Sequence, residues 1–99
     1  MTKSNIEKKK FSLIWGSGFI EEEVQIVSRY HVPTIQLLKF TEGEAKGSQE
    51  IRFCHYGHEG RFQRSPLILD LKDITKLSKA LEKTPKLKKI LKQLVKIKN

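Results

Sequence analysis

Val24-Gln-Ile-Val-Ser-Arg-Tyr-His-Val-Pro33, followed directly by Thr34-Ile-Gln-Leu-Leu-Lys-Phe40, decides how the rest of the chain is read. Val24, Ile26, Ser28, Tyr30 and Val32 alternate with Gln25, Val27, Arg29 and His31, which is the two-residue period of a strand. A helix from Phe19 to Tyr30 competes with this reading, because Glu21-Glu22-Glu23 would suit a helix N-terminus. The β-branched content and Pro33 favour the strand. Thr34 to Phe40 is then a second strand, apolar on both faces and therefore central.

Working outward, Thr41 to Gln49 carries two glycines and reads as a loop or hairpin connection. Glu50 to Tyr56 is a third strand, with Ile51, Phe53 and His55 opposing Arg52, Cys54 and Tyr56. Gly57-His58-Glu59-Gly60 supplies a turn, and Arg61 to Ser65 a fourth strand that Pro66 helps to end. On the other side, Phe11 to Trp15 is a short apolar run compatible with a strand. Gly16-Ser17-Gly18 reads as a flexible turn, and residues 1–10 as a flexible basic arm.

Beyond the sheet, Asp70 is placed to cap a helix, with Asp73 in its first turn. Leu71, Ile74, Leu77 and Leu81 recur at helical spacing. Thr84-Pro85 is a stop-and-restart signal, after which Leu87, Ile90, Leu91, Leu94 and Val95 continue the apolar stripe. Thirty residues of unbroken helix would span about 45 Å, more than a small sheet can cover. The distal half must therefore fold back or pair with another chain, and a homodimer through this helix is expected. The fold expected is α+β: a four-stranded antiparallel meander over 11–69, then a long or Pro-broken C-terminal helix over 70–97. Together they form one domain, 11–99.

Length and composition narrow the function. The chain has 99 residues, 37% of them hydrophobic, and 20 Lys+Arg against 11 Asp+Glu for a net charge of +9. Its apolar runs fall well short of the roughly 20 residues that cross a bilayer, and Met1-Thr-Lys-Ser-Asn lacks the apolar stretch of a secretory signal. Cys54 is the single cysteine, so no intramolecular disulfide can form, which fits a reducing cytoplasm. The charge is unevenly spread. Residues 70–99 hold ten lysines against Asp70, Asp73 and Glu82, whereas all four arginines (Arg29, Arg52, Arg61, Arg64) lie in the near-neutral middle. Lysine is a hydrated point charge, while arginine offers a planar fork for phosphate and a face that stacks on bases. Ion pairs with Glu21 to Glu23 are the plainer explanation for some of these arginines.

Three chemistries compete for the middle segment. Zinc needs three or four converging ligands, and Cys54, His55 and His58, with His31 across the sheet, are dense enough to consider. Adjacent strand residues face opposite sides, however, so Cys54 and His55 do not converge, and no metal or other cofactor is expected. The same alternation argues against a Cys54–His55 nucleophile pair, and no enzyme activity is expected. The plain reading packs Cys54 near the core and leaves the histidines on the surface.

Nucleic-acid binding fits better. Basic and aromatic residues interleave in Arg29-Tyr30-His31, Arg52-Phe53-Cys54-His55-Tyr56 and Arg61-Phe62-Gln63-Arg64. On single strands, cations track phosphates while aromatic faces stack on bases. Arg52 and Tyr56 share a face of their strand, with Arg61 and Gln63 expected opposite them across the hairpin. Phe53 and Phe62 are expected in the core, and Trp15 is either core or a stacking platform. The candidate site is Arg29, Tyr30, Arg52, His55, Tyr56, Arg61 and Arg64.

The order from Ile51 to Leu94 (strand, glycine turn 57–60, basic strand Arg61-Phe62-Gln63-Arg64, Pro66-Leu-Ile-Leu, then a capped helix with Leu71, Ile74 and Leu77) resembles the single-stranded-DNA-binding domain of the positive-cofactor-four transcriptional coactivators. The resemblance lies in element order and covers fewer than half the residues. It implies a twisted antiparallel sheet that binds unpaired DNA with basic and aromatic side chains, and a dimer formed through the C-terminal helix. By position it places Arg61 and Arg64 on the basic strand after the turn, and Arg52 and Tyr56 on the strand before it. The family's helix tryptophan is absent here, and Thr84-Pro85 interrupts the helix. The function expected is non-enzymatic binding of single-stranded nucleic acid, in transcription or DNA maintenance. The alternatives are a protein-interaction module built on the leucine stripe and an RNA-binding or ribosome-associated basic factor.

Overall fold

A computed structural model describes residues 8–96. The elements in chain order are β1 (Lys10–Leu13), β2 (Gly16–Gln25), β3 (Val32–Glu42), β4 (Gln49–Tyr56), β5 (Phe62–Gln63), α1 (Leu71–Ala80) and α2 (Pro85–Lys92). Short 3-10 turns follow each helix, at Leu81–Lys83 and Gln93–Val95. The five strands form one antiparallel meander in sequence order, so the fold is α+β. It has one strand more than the expected four, and the long or Pro-broken C-terminal helix expected is two short helices that part at Thr84-Pro85. Most of the expected arm, residues 1–7, lies outside the described residues. Its end belongs to the sheet: Lys10 opens β1, and the Lys9 carbonyl accepts the Ile20 N–H at 2.8 Å.

The largest departure from the sequence reading is β2. Gly16-Ser17-Gly18 is not a turn but the start of this strand, and the strand ends at Gln25 instead of running to Val32. Gly18 is required by close approach: a Cβ there would lie 1.9 Å from the Lys39 carbonyl oxygen on β3. The chain reverses at Ser28–His31, closed by the Ser28 N–H to the His31 carbonyl at 2.9 Å. Arg29 and Tyr30 therefore sit at a hairpin tip, not on a strand face.

A register shift between Ile20 and Glu22 makes Glu21 the extra residue of a bulge, and a second shift falls between Ser17 and Gly18. Bulges bend and twist the strand that carries them. In a flat sheet β1 and β4, three strand spacings apart, would be about 14 Å from each other. Here the Arg52 guanidinium of β4 lies 6.0 Å from the Phe11 ring of β1, and Lys9 Nζ 5.9 Å from the Tyr56 ring. The sheet is curled, with β1 drawn over toward β4.

Two apolar clusters occupy its two faces. On the convex face, Val24, Ile26, Ile35 and Leu37 pack against Leu77 of α1 and Leu87 of α2. Inside the curl, Phe11, Ile20, Leu38 and Phe40 close one end, with Phe11 and Phe40 edge to face at 4.8 Å. The Thr84-Pro85 break is what brings both helices onto the convex core, because Leu77 and Leu87 then reach the same cluster.

The caps follow the same logic. Asp70 caps α1 in a full capping box with Asp73, and Asp73 also accepts from the Ser28 hydroxyl at 2.9 Å, tying the helix to the β2–β3 hairpin. Thr84 does not cap α2; its hydroxyl donates to the Leu81 carbonyl. That duty falls to Glu22, whose carboxylate accepts the Leu87 N–H at 2.9 Å and the Lys86 N–H at 3.3 Å. The glutamate run does serve a helix N-terminus, but of a helix far along the chain.

Because a carboxylate satisfies two orphan N–H groups there, a Glu22→Ala variant is expected to lose about 1 kcal/mol in urea unfolding. Glu21, next to it, pairs with Lys86, and this ion pair holds its carboxyl below the usual carboxylate range. A depressed folded pKa contributes stability that is present above the unfolded value and disappears as pH falls through the folded one. The urea midpoint should therefore fall on acidification from neutral to about pH 3, below the ordinary glutamate pKa. It should fall less in Glu21→Gln, and identical curves for the two proteins would contradict the assignment.

Candidate nucleic-acid interface

The concave face is organised around Gln36. Fully buried on the central strand, its side chain uses both ends: Nε2 donates to Glu23 Oε2 at 2.7 Å and to the Tyr56 hydroxyl at 3.0 Å. Its Oε1 accepts from Arg52 Nε at 2.8 Å, with Cys54 Sγ at 3.5 Å. The register explains why these meet, since Gln36 stands opposite both Glu23 and Arg52. Lys9 closes the network at 2.9 Å from Glu23, and that hydrogen bond raises its ammonium above the ordinary lysine value.

Gln36 holds Arg52 through Nε, and the two terminal NH2 groups of a guanidinium carry four further donors. The Arg52 guanidinium lies 5.0 Å from the Phe62 ring, and Phe62 packs edge to face on Tyr56 at 5.4 Å. Lys10, Phe11, Arg52, Tyr56, Phe62 and Arg64 line a shallow open groove between β1 and the β4–β5 hairpin. No carboxylate pairs with any of the four arginines among the described residues; the ion pairs there all use lysine. Glu21, Glu22 and Glu23 are taken by Lys86, the α2 backbone, and Lys9 with Gln36, so the ion-pair explanation for the arginines does not hold.

The sequence-derived residues divide accordingly. Arg52, Tyr56 and Arg64 come together in the groove. Phe62 stands opposite Tyr56 and Gln63 opposite His55, so Phe62 takes the groove position expected of Arg61 or Gln63. Arg61 is exposed at the foot of β5, its carbonyl accepting the Gly57 N–H. Arg29 and Tyr30 stay apart at their hairpin tip, where the guanidinium lies 5.3 Å from the Tyr30 ring.

His55 is the clearest correction. It lies on the other face of β4, buried, with Nε2 3.1 Å from the Ser65 carbonyl and its ring 4.9 Å from that of His31. A buried ring cannot stack on a base. Cys54 is buried as expected, and burial pushes its thiol up. Phe53 and Phe62 are both half-exposed instead of core. Trp15 is neither core nor free, because its indole N–H donates to Glu50 at 3.2 Å.

Sequence reasoning does not find Lys10, Phe11 and Phe62 as groove residues. The signal for Phe62 is the one-residue register of a two-residue strand, which a pattern so short does not determine. Among the described residues, no three His, Cys, Asp or Glu side chains come together as a metal would need, and no helix is long and apolar enough to cross a membrane. No protein-family model, curated protein or solved structure matches the chain.

Proposed function

We propose that the protein binds single-stranded nucleic acid, without chemistry, in the groove of its curled sheet. The observation that carries this is the groove's composition: Arg52, paired with no carboxylate among the described residues and set against Phe62, with Tyr56, Arg64 and Lys10 around it. Arginine and lysine take the phosphates while Phe62 and Tyr56 offer faces to unpaired bases, each stack worth roughly 1–3 kcal/mol. The groove is open at the edge of a short strand, so a flexible single strand can enter where a stiff duplex meets the curled rim. The ten lysines of residues 70–99 add long-range attraction and salt sensitivity without specifying a strand. Arg29, Tyr30 and Arg61 serve as outlying partners for a strand that runs past the groove.

The reading separates two neighbouring arginines. Arg64→Ala should weaken binding of a labelled single-stranded oligonucleotide about tenfold, and Arg61→Ala about twofold, in line with one direct phosphate partner against one peripheral charge. Fluorescence anisotropy at fixed salt measures both. Equal effects would mean that net charge alone is being read and would remove the groove from the account.

A further inference from the structure

The opposite face of the sheet carries a second surface with different chemistry. The two helices pack over β2 and β3 and reach Ile51 at one end of β4, while Ser65 covers His55 at the other, which leaves the convex side of β4 open at Phe53. Phe53 stands there 52% exposed, and Ile74 of α1, on the facing helix, is 50% exposed. Between them runs a groove of about 470 Å³ whose walls include Leu91 and Val95 and whose rim carries Lys92 and Lys88, the latter paired with Glu82 at 2.6 Å. Phe53 directly follows Arg52 on β4, so this groove and the nucleic-acid face lie back to back.

We propose that this groove docks an acidic amphipathic segment of a protein partner, its apolar stripe against Phe53, Ile74 and Leu91 and its carboxylates against the lysine rim. Burying the stripe of an amphipathic helix in an apolar groove is a recurrent mode of recognition. Charge selects the occupant. Residues 71–96 hold nine lysines against Asp73 and Glu82, so a second copy would bring two strongly positive layers together, whereas an acidic partner is attracted. Phe53 is the anchor, because an aromatic at the centre of such a patch carries a large share of the binding energy. The protein would then hold a single strand on one face and an acidic protein segment on the other.

The test uses the full chain and a labelled peptide of about 18 residues, roughly 27 Å of helix, with a Leu/Phe stripe and Glu elsewhere. A control peptide carries Lys in place of Glu. The acidic peptide should bind saturably and the basic one should not. Phe53→Ser should weaken binding at least tenfold while leaving the urea midpoint and oligonucleotide binding unchanged. The double variant Lys88→Glu/Lys92→Glu should reverse the preference between the two peptides. Retention of binding in Phe53→Ser, or displacement of the peptide by a single-stranded oligonucleotide, would overturn the proposal. So would a sedimenting dimer that Phe53→Ser dissociates, because the occupant would then be a second copy.

Discussion

Replacing Leu87 with alanine is expected to remove about 3 kcal/mol of stability, within the 2–5 kcal/mol range for truncating a buried leucine. Leu87 is completely buried at the junction of α2, α1 and the convex face, packed into the cluster of Val24, Ile35, Leu37 and Leu77. About 3 kcal/mol is a large part of what a chain this size holds, about 5–15 kcal/mol. The eight residues of α2 cannot persist as an isolated helix. Removing the Leu87 side chain should therefore release α2 as a unit and take with it the Glu22 cap and the Glu21–Lys86 pair. Urea unfolding followed by circular dichroism measures the effect, and a value under about 1 kcal/mol would mean that α2 is not part of the cooperative core. While the variant remains folded its oligonucleotide affinity should be unchanged, because the groove is on the other face.

The second large effect is expected in the groove. The double variant Arg52→Ala/Phe62→Ala removes a phosphate partner and a stacking face together, and single-strand affinity should fall about 100-fold, equivalent to about 2.7 kcal/mol. Arg52→Lys keeps the charge but cannot reproduce a guanidinium held by Gln36 and set against Phe62. It should therefore bind more tightly than Arg52→Ala but more weakly than the unaltered protein. Full affinity with lysine would mean that charge, and not placement, is what the groove contributes.

Much of the scaffold is legible in the sequence because its signals are local. The apolar run Thr34–Phe40, the glycine turn 57–60, the Asp70 cap and the Thr84-Pro85 break each depend on a few adjacent residues, and each falls where expected. β2 is not legible, because its sequence contradicts strand propensity. Gly18 is there for the Lys39 carbonyl, and Glu21 to Glu23 are spread by a bulge to partners on α2, on β4 and at the entry to β1. None of those partners is near in sequence. At the site, Arg52 and Tyr56 are legible from alternation on a single strand. Phe62 and His55 are not, because the first depends on the register of β5 and the second on how residues 65–68 fold over the end of the sheet.

The most direct test of the central claim is anisotropy titration of a labelled single-stranded oligonucleotide and its duplex, from about 50 to 300 mM salt, where phosphate neutralisation shows as a log–log slope. The account predicts tighter binding to the single strand at every salt concentration. It also predicts that Arg52→Ala/Arg64→Ala makes the slope shallower by about 1.4, at roughly 0.7 for each phosphate no longer neutralised. Equal affinity for the two forms, with a slope unchanged in that variant, would contradict it and assign the binding to the lysines alone.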